Sequence, residues 1–226
     1  MVEPAEKLAA EGRHGRRGPE TRTAIHAAAI ELFSKLGYHA TSMRALAAAA
    51  AVQPAAIYHW YPNKEAILVQ LQDDFMEQLT VRVVAAMDRQ DRPALKLAAA
   101  VREHVVYHGL HRSEAFVTDS EIRALTAAPR RALIGKRDAY QAIFAAMIGD
   151  GIRDGSLRTS DVPVATYAIL LQCTGVALWF DPAGPLGLDE VADLHIELVL
   201  GSLGAPTELI GEAIERVSRE SALGRG

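Results

Sequence analysis

TSMRALAAAAAVQPAAIYHWYPNKEAIL, residues 41–68, is the stretch from which the fold is read. Thr41 or Ser42 offers a hydroxyl cap to a short helix running through Met43, Leu46, Ala47 and Ala50. After Val52, Gln53 stands as cap and Pro54 at the first position of a second short helix, where its missing N–H costs nothing. That helix ends at Pro62, and Asn63 caps a long one carrying Ile67, Leu68, Leu71, Phe75 and Leu79 toward about Met87. Two short helices joined by a tight turn and braced by a helix before them have the plan of a helix-turn-helix. Ala47 is small where the two helices must cross closely. Val52 and Ile57 are apolar and seat the second helix on its brace.

The brace lies just upstream. From Thr21 onward, Ile25, Ala29, Leu32, Phe33 and Leu36 share one helical face, and Gly37 stops the helix where a left-handed residue is wanted. Residues 1–19 read as a mobile basic arm, broken by Gly12, Gly15, Gly18 and Pro19 and carrying Arg13, Arg16 and Arg17. Such an arm is either a plain leader or an added contact to DNA phosphates or the minor groove.

Downstream of Arg92-Pro93 come longer amphipathic helices over roughly 93–108, 113–127, 130–153, 161–180 and 188–203, punctuated by Pro129, Gly155, Pro163 and Gly184-Pro185. A last amphipathic segment follows Pro206. The expected fold class is all-α: an N-terminal three-helix helix-turn-helix domain (20–66), a helical ligand-binding and dimerisation domain (67–204), and a C-terminal helix or tail (205–226). With 226 residues, half of them hydrophobic, the chain can bury a substantial core.

The net charge is −4, which taken whole would argue against a nucleic-acid partner. Its distribution argues for one. Residues 1–64 hold eight Lys/Arg against five Asp/Glu, a balance of +3, and the remainder holds sixteen against twenty-three, −7. A basic head on an acidic body confines attraction to phosphate to one end. The single cysteine, Cys173, admits no intrachain disulfide or Cys-based zinc site and is read as a small buried hydrophobe. No signal-like stretch opens the chain, and no uninterrupted apolar run is expected to reach the roughly 18 residues of a spanning helix. The expected location is the cytoplasm, with no membrane partner.

The outward face of the second short helix, Gln53, Ala55, Ala56, Tyr58 and His59, is short or polar enough to enter a major groove. The free N–H groups beside Thr41 and Ser42 suit a phosphate, as do the donors of Tyr58, His59 and Lys64. Gln53 and Arg44 are the candidates for base contact.

Residues 21–71 resemble the DNA-binding head of the TetR family of bacterial regulators. The resemblance is carried by Ala28-Ala29-Ile30-Glu31-Leu32-Phe33-Ser34-Lys35-Leu36-Gly37-Tyr38, Ala40-Thr41-Ser42-Met43-Arg44 and Ile57-Tyr58-His59-Trp60-Tyr61-Pro62-Asn63-Lys64-Glu65-Ala66-Ile67-Leu68. Two positions depart from the family's pattern. Ala51 stands where the turn residue is usually Gly, and Trp60-Tyr61 stands for the usual His-Phe pair. The resemblance implies a homodimer on double-stranded palindromic DNA, with recognition helices one duplex turn (roughly 34–36 Å) apart. It further implies a small-molecule effector in the body, repression relieved by that effector, and a dimer built on the helices near 161–180 and 188–203.

The body looks most like the family's branch that responds to acyl-CoA thioesters of fatty-acid or steroid catabolism. Trp179-Phe180-Asp181-Pro182-Ala183-Gly184-Pro185 resembles that branch's Trp-Tyr-x-Pro-Gly-Gly segment, and 121–125, 137–140 and 151–155 follow it more loosely. Independently, Leu133, Arg137, Tyr140, Phe144 and Met147 recur at helical spacing, placing an arginine in an apolar stripe. Such a guanidinium needs a partner, either a carboxylate such as Glu121 or Asp119 or an anionic ligand group such as a CoA phosphate. The expected ligand-binding set is Tyr107, Glu121, Arg137, Tyr140, Phe144, Tyr167 and Trp179, although aromatics at helical spacing are as readily core. A lipophilic, drug-like inducer, or a ligand-binding module without an operator, is the competing reading.

His104, His108 and His111, at i, i+4 and i+7, have a spacing able to hold a metal, but Gly109 is expected to end the helix between them, so no metal and no cofactor is expected. No Walker loop, His-Glu-x-x-His or Gly-x-Ser-x-Gly occurs, and Gly149, Gly151 and Gly155 miss a dinucleotide fingerprint by one residue. The expectation is a protein that is not an enzyme.

Overall fold

The computed structural model describes residues 18–223. The arm expected over 1–19, arginines included, lies almost wholly outside them. Every regular element among the described residues is a helix. The chain divides into two compact units, one through Leu68 and one from Val69.

The first unit holds α1 (Gly18–Leu36), α2 (Met43–Ala49) and α3 (Pro54–Trp60). Ile25, Ala29 and Phe33 of α1, Leu46 and Ala47 of α2 and Ile57 of α3 are essentially without solvent contact. These are the apolar positions whose spacing marks the helices. Gly37 closes α1 at φ 82°, its N–H 3.0 Å from the Phe33 carbonyl. Ser42 caps α2, accepting from the Ala45 N–H at 3.1 Å. Gln53 holds the cap position of α3 with extended backbone, but its side chain makes no capping bond.

The turn between α2 and α3 requires a left-handed residue, and Ala51 supplies it at φ 54°. Its N–H reaches the Ala48 carbonyl at 3.1 Å, and that of Val52 reaches Ala47 at 3.0 Å. An L-residue with a Cβ is strained there by roughly 1–2 kcal/mol, which is why glycine is the usual occupant.

α4 (Lys64–Met87) starts in the first unit and continues into the second, which adds α5 (Pro93–Leu110), α6 (Arg112–Ser120), a 3-10 turn (Glu121–Ala124), α7 (Ala127–Arg153), α8 (Val162–Thr174), α9 (Val176–Trp179), α10 (Leu188–Ser202) and α11 (Thr207–Leu223). α5 is the central helix. It packs on α7, α8, α10 and α11, which explains its near-continuous run of buried Ala, Leu and Val. Arg102 is buried among them. Its guanidinium reaches Asp189 at 2.7 Å, Asp193, and Ser218 at 3.1 Å, fastening α5 to α10 and α11.

Several expectations are corrected. α5 does not end before Gly109; the glycine is helical, and a Cβ there would lie 2.4 Å from Leu188 Cδ1, so close packing explains it. The helix expected over 113–127 ends at Ser120 in the 3-10 turn. The helix expected over 161–180 is divided at Gly175 into α8 and α9. An uncharged, largely apolar stretch of 18 residues does exist, although not an uninterrupted one. It covers Val162–Trp179, with mean hydropathy 1.5 and only 28% of the window buried. Pro163, Gly175 and the polar Thr166, Gln172 and Thr174 interrupt it, and its other side packs on α5 and α7.

Candidate functional sites: a head surface and a body cavity

In the first unit, α3 buries Ile57 and exposes the opposite side. Gln53, Ala55, Tyr58 and His59 are exposed and Ala56 partly so, with Tyr58 55% accessible. Arg44 and Ser42 on α2 are exposed as well. From residue 32 to residue 64 the chain carries no Asp or Glu, so nothing within that stretch opposes a polyanion.

Two residues expected at this surface have other duties. Thr41 is buried, its hydroxyl donating to the Gly37 carbonyl at 3.0 Å, so it closes α1 instead of facing an anion. Lys64 points its ammonium back across the start of α4. It donates to the carbonyls of Tyr38 at 2.5 Å and Thr41 at 2.7 Å, with the Tyr38 ring centroid 4.1 Å away. It acts as an internal tie, adding a charged donor to carbonyls of the α1–α2 loop, where the Tyr38 oxygen also accepts from the Thr41 N–H at 3.2 Å. Tyr61, one of the departures from the family pattern, is also inward: its hydroxyl lies 2.5 Å from His26 Nε2, pinning the end of α3 to α1. Trp60 stays on the surface.

The second unit contains a cavity of about 570 Å³, within the range of small-molecule sites. α4 supplies Phe75, Met76 and Leu79 to its wall, α5 supplies His104 and His108, and α6 supplies Phe116, Thr118 and Asp119. α7 adds Arg137, Tyr140 and Gln141, and α8 and α9 add Tyr167, Leu171 and Leu178. These last three are largely exposed, Leu171 at 76% and Leu178 at 70%, so solvent-facing apolar side chains border the cavity; Leu194 and Leu198 of α10 are exposed as well.

Arg137 therefore lines a cavity, as does its stripe-mate Tyr140. It is not deeply buried: its side chain is 31% accessible, donating to the Thr118 carbonyl at 2.7 Å and to Asp119 at 3.2 Å. Burial raises the pKa of Asp119, partly countered by Arg137. Exposed Arg130 and Arg131 precede Arg137 by about two turns of α7.

Of the expected ligand set, Arg137, Tyr140 and Tyr167 line the cavity, and Tyr107, Glu121, Phe144 and Trp179 do not. Tyr107 packs behind the wall, its ring 5.0 Å from that of Phe75, and burial pushes its hydroxyl up to about 12. Phe144 is wholly inside the core. Glu121 lies in the 3-10 turn beyond the cavity. Trp179 faces outward, 56% exposed, and stacks on His195 of α10 at 6.1 Å.

The spacing of His104, His108 and His111 leads to the expectation that a helix end at Gly109 separates them. His104 and His108 are instead buried and stacked, centroids 4.1 Å apart, both lining the cavity. His104 Nδ1 lies 2.8 Å from the Tyr140 hydroxyl and Nε2 lies 3.0 Å from Thr174 Oγ1. His111 leaves the pair and meets Glu114. No group of three metal-ligating side chains occurs among the described residues. The signal that could have found the pair was present: two histidines at i, i+4 in a helix rich in Ala, Leu and Val.

Residues 90–203 match the family model described as "Tetracyclin repressor-like, C-terminal domain", and residues 25–71 match that described as "Bacterial regulatory proteins, tetR family". The chain is 27% identical over 200 residues to the HTH-type transcriptional repressor KstR2 of Rhodococcus jostii (strain RHA1), covering 86% of this chain and 94% of that one. Over 143 residues it is 27% identical to the fatty acid metabolism regulator protein of Bacillus subtilis (strain 168), covering 63% and 74% respectively. The crystal structure of AibR in complex with isovaleryl coenzyme A and operator DNA shares the fold, with a TM-score of 0.73 at 24% identity, covering 79% of this chain and 97% of that one.

Proposed function

The chain belongs to the tetR family of bacterial regulatory proteins, and from that premise we propose a homodimeric cytoplasmic repressor released from a palindromic operator when an acyl-CoA thioester enters the α4–α8 cavity. The carrying observation is the cavity itself: apolar walls for an acyl chain, with Arg137 among its lining residues and Arg130 and Arg131 two turns along the same helix. An acyl chain gains from leaving water, and guanidinium groups suit the phosphates of the carrier. The shared fold accommodates such a ligand, as the AibR complex illustrates, and relatives named as a repressor and a fatty acid metabolism regulator point the same way.

On this reading Arg44, Gln53, Tyr58 and His59 address the duplex, with Ser42, Ala55 and Ala56 flanking them. α4 contributes Phe75, Met76 and Leu79 to the cavity and begins at Lys64, tied into the head. A ligand that binds two arrangements of α4 unequally shifts their populations, and with them operator affinity. The second subunit covers Val164, Leu171, Leu178, Leu194 and Leu198. This is why the long apolar run is exposed in one chain, and it requires no membrane. The ligand is sensed and not turned over.

Fluorescence anisotropy on intergenic DNA next to the protein's own gene tests this. Binding at low salt that dodecanoyl-CoA reverses is expected; binding untouched by any acyl-CoA refutes the inducer assignment. No binding at all favours a ligand module without an operator. A neutral lipophilic inducer is the second reading, favoured by the fact that Asp119 and the Thr118 carbonyl already engage Arg137. Release by such a compound and not by thioesters establishes it.

A further inference from the structure

We infer that the cavity is built for an acyl group bearing a hydroxyl, which it recognises through Nε2 of His108. The inference rests on the acyl-ligand reading above and narrows it.

The argument begins with a tautomer. His108 Nδ1 lies 2.8 Å from the carbonyl oxygen of His104, one helical turn earlier. A carbonyl only accepts, so Nδ1 carries the hydrogen. Burial holds the ring's pKa down at about 4, against the opposing pull of that backbone bond, so the imidazole is neutral. A neutral ring protonated at Nδ1 has a lone pair at Nε2, and Nε2 is then an acceptor. Among the described residues no group occupies it: the hydrogen bond to His104 is the one His108 makes. Nor is it sealed in the core. Among the described residues, the buried side-chain polar atoms without partners belong to Gln72, Gln90 and Arg102, whereas His108 is 3% exposed and lines the cavity. Its unmet acceptor opens onto the void.

The neighbouring polar groups differ. His104 engages both ring nitrogens within the protein, with Tyr140 and Thr174, and has nothing left for a ligand. It stacks on His108 and, with Phe75 edge-on at 5.3 Å, fixes the plane of that ring. Thr118 is a second buried lining residue, its carbonyl bound by Arg137 and its hydroxyl without a partner among the described residues. A ligand hydroxyl can thus donate to His108, and Thr118 offers a further group of either polarity. A plain hydrocarbon chain leaves the His108 acceptor desolvated and unmet. Sites built to bond a hydroxyl discriminate against the analogue lacking it for this reason.

The test is calorimetric titration of the full-length protein with dodecanoyl-CoA and 3-hydroxydodecanoyl-CoA, and with the two free acids, to separate the acyl group's contribution from its carrier's. The hydroxylated member of each pair is expected to bind about five- to tenfold tighter. In H108F the ratio collapses to about one. In H108Q, whose amide oxygen restores an acceptor, a preference returns, which also serves if H108F does not fold. Equal affinities in the wild type, or a ratio unchanged in H108F, overturn the inference and leave the acyl reading standing. If none of the four binds, both fall. Preference in the free acids but not the thioesters keeps His108's role and removes CoA as carrier.

Discussion

The ammonium of Lys64, at the first turn of α4, lies 2.7 Å from the carbonyl oxygen of Thr41 and ties the start of α4 to the loop that opens α2. Its further bond to Tyr38 and its place over that ring leave it a fastener within the head. Lys64→Ala is expected to cost about 2 kcal/mol, the range of charge-assisted hydrogen bonds, and to weaken DNA binding at every sequence through loss of the folded head. Denaturant melts and anisotropy on the same samples check it. An unchanged melt with a reduced salt dependence of binding would return Lys64 to a phosphate contact.

Ala51 carries strain at φ 54° for the sake of the α2–α3 turn. Ala51→Gly relieves it, less the extra chain entropy glycine brings to the unfolded state. The expected net gain is about 0.5–1 kcal/mol, a rise in Tm of about 1–4 °C for a chain of this size. A drop in Tm would mean that the turn tolerates alanine without strain.

Arg102 faces two carboxylates and a hydroxyl from α10 and α11. Arg102→Ala leaves Asp189 and Asp193 side by side beside a hole. Removing one member of a buried pair costs about 3–5 kcal/mol, and the partial exposure of both aspartates, 54% and 32%, argues for the lower end. Arg102→Met, which keeps the volume, should be milder in urea melts. Equal losses would assign the effect to the lost charge pairing and not to the hole.

Acid should weaken the body through its histidines. Burial holds His108 at about 4 and His104 well below its ordinary value, with neighbouring His195, His111 and Arg137 pushing the same way. The unfolded chain takes up both protons near pH 6.5. Between there and about pH 4 it binds more protons than the fold, so stability is flat above the window and falls as pH drops through it. The slope per histidine is about 1.4 kcal/mol per pH unit inside the window. Thermal melts from pH 7.5 to 5 should show the bend, shallower in H108F. A Tm independent of pH over that range contradicts neutral buried rings.

Leu198, on the outer face of α10, is 58% exposed and does not line the cavity. Leu198→Glu should shift sedimentation toward the monomer and weaken a full palindrome much more than a half-site. A dimer that survives the substitution places the subunit contact on another face.

How much of this was legible beforehand depended on the distance over which partners are found. The helix-turn-helix lies within some fifty contiguous residues, and its caps, brace and turn, down to the strained Ala51, are local features. The body was legible as helices but not as a site. The sequence singled out Arg137 as the arginine trapped in an apolar stripe, yet Arg137 is partly exposed and Arg102 is the buried one. Arg102's partners arrive from 87 and more residues away, where periodicity carries no information.

The amino-acid order alone therefore determined an all-helical chain, a DNA-reading head, and the family to which both units belong, because caps, turns and 3.6-residue stripes are written between near neighbours. The tertiary structure decided which side chains face a void. It turned Thr41 and Lys64 inward, took Phe144, Tyr107 and Trp179 out of the cavity wall, and set His108 there with an open nitrogen. Helices packed from distant parts of the chain choose what each stripe confronts, and that choice is made by shape and by the pairing of buried polar groups.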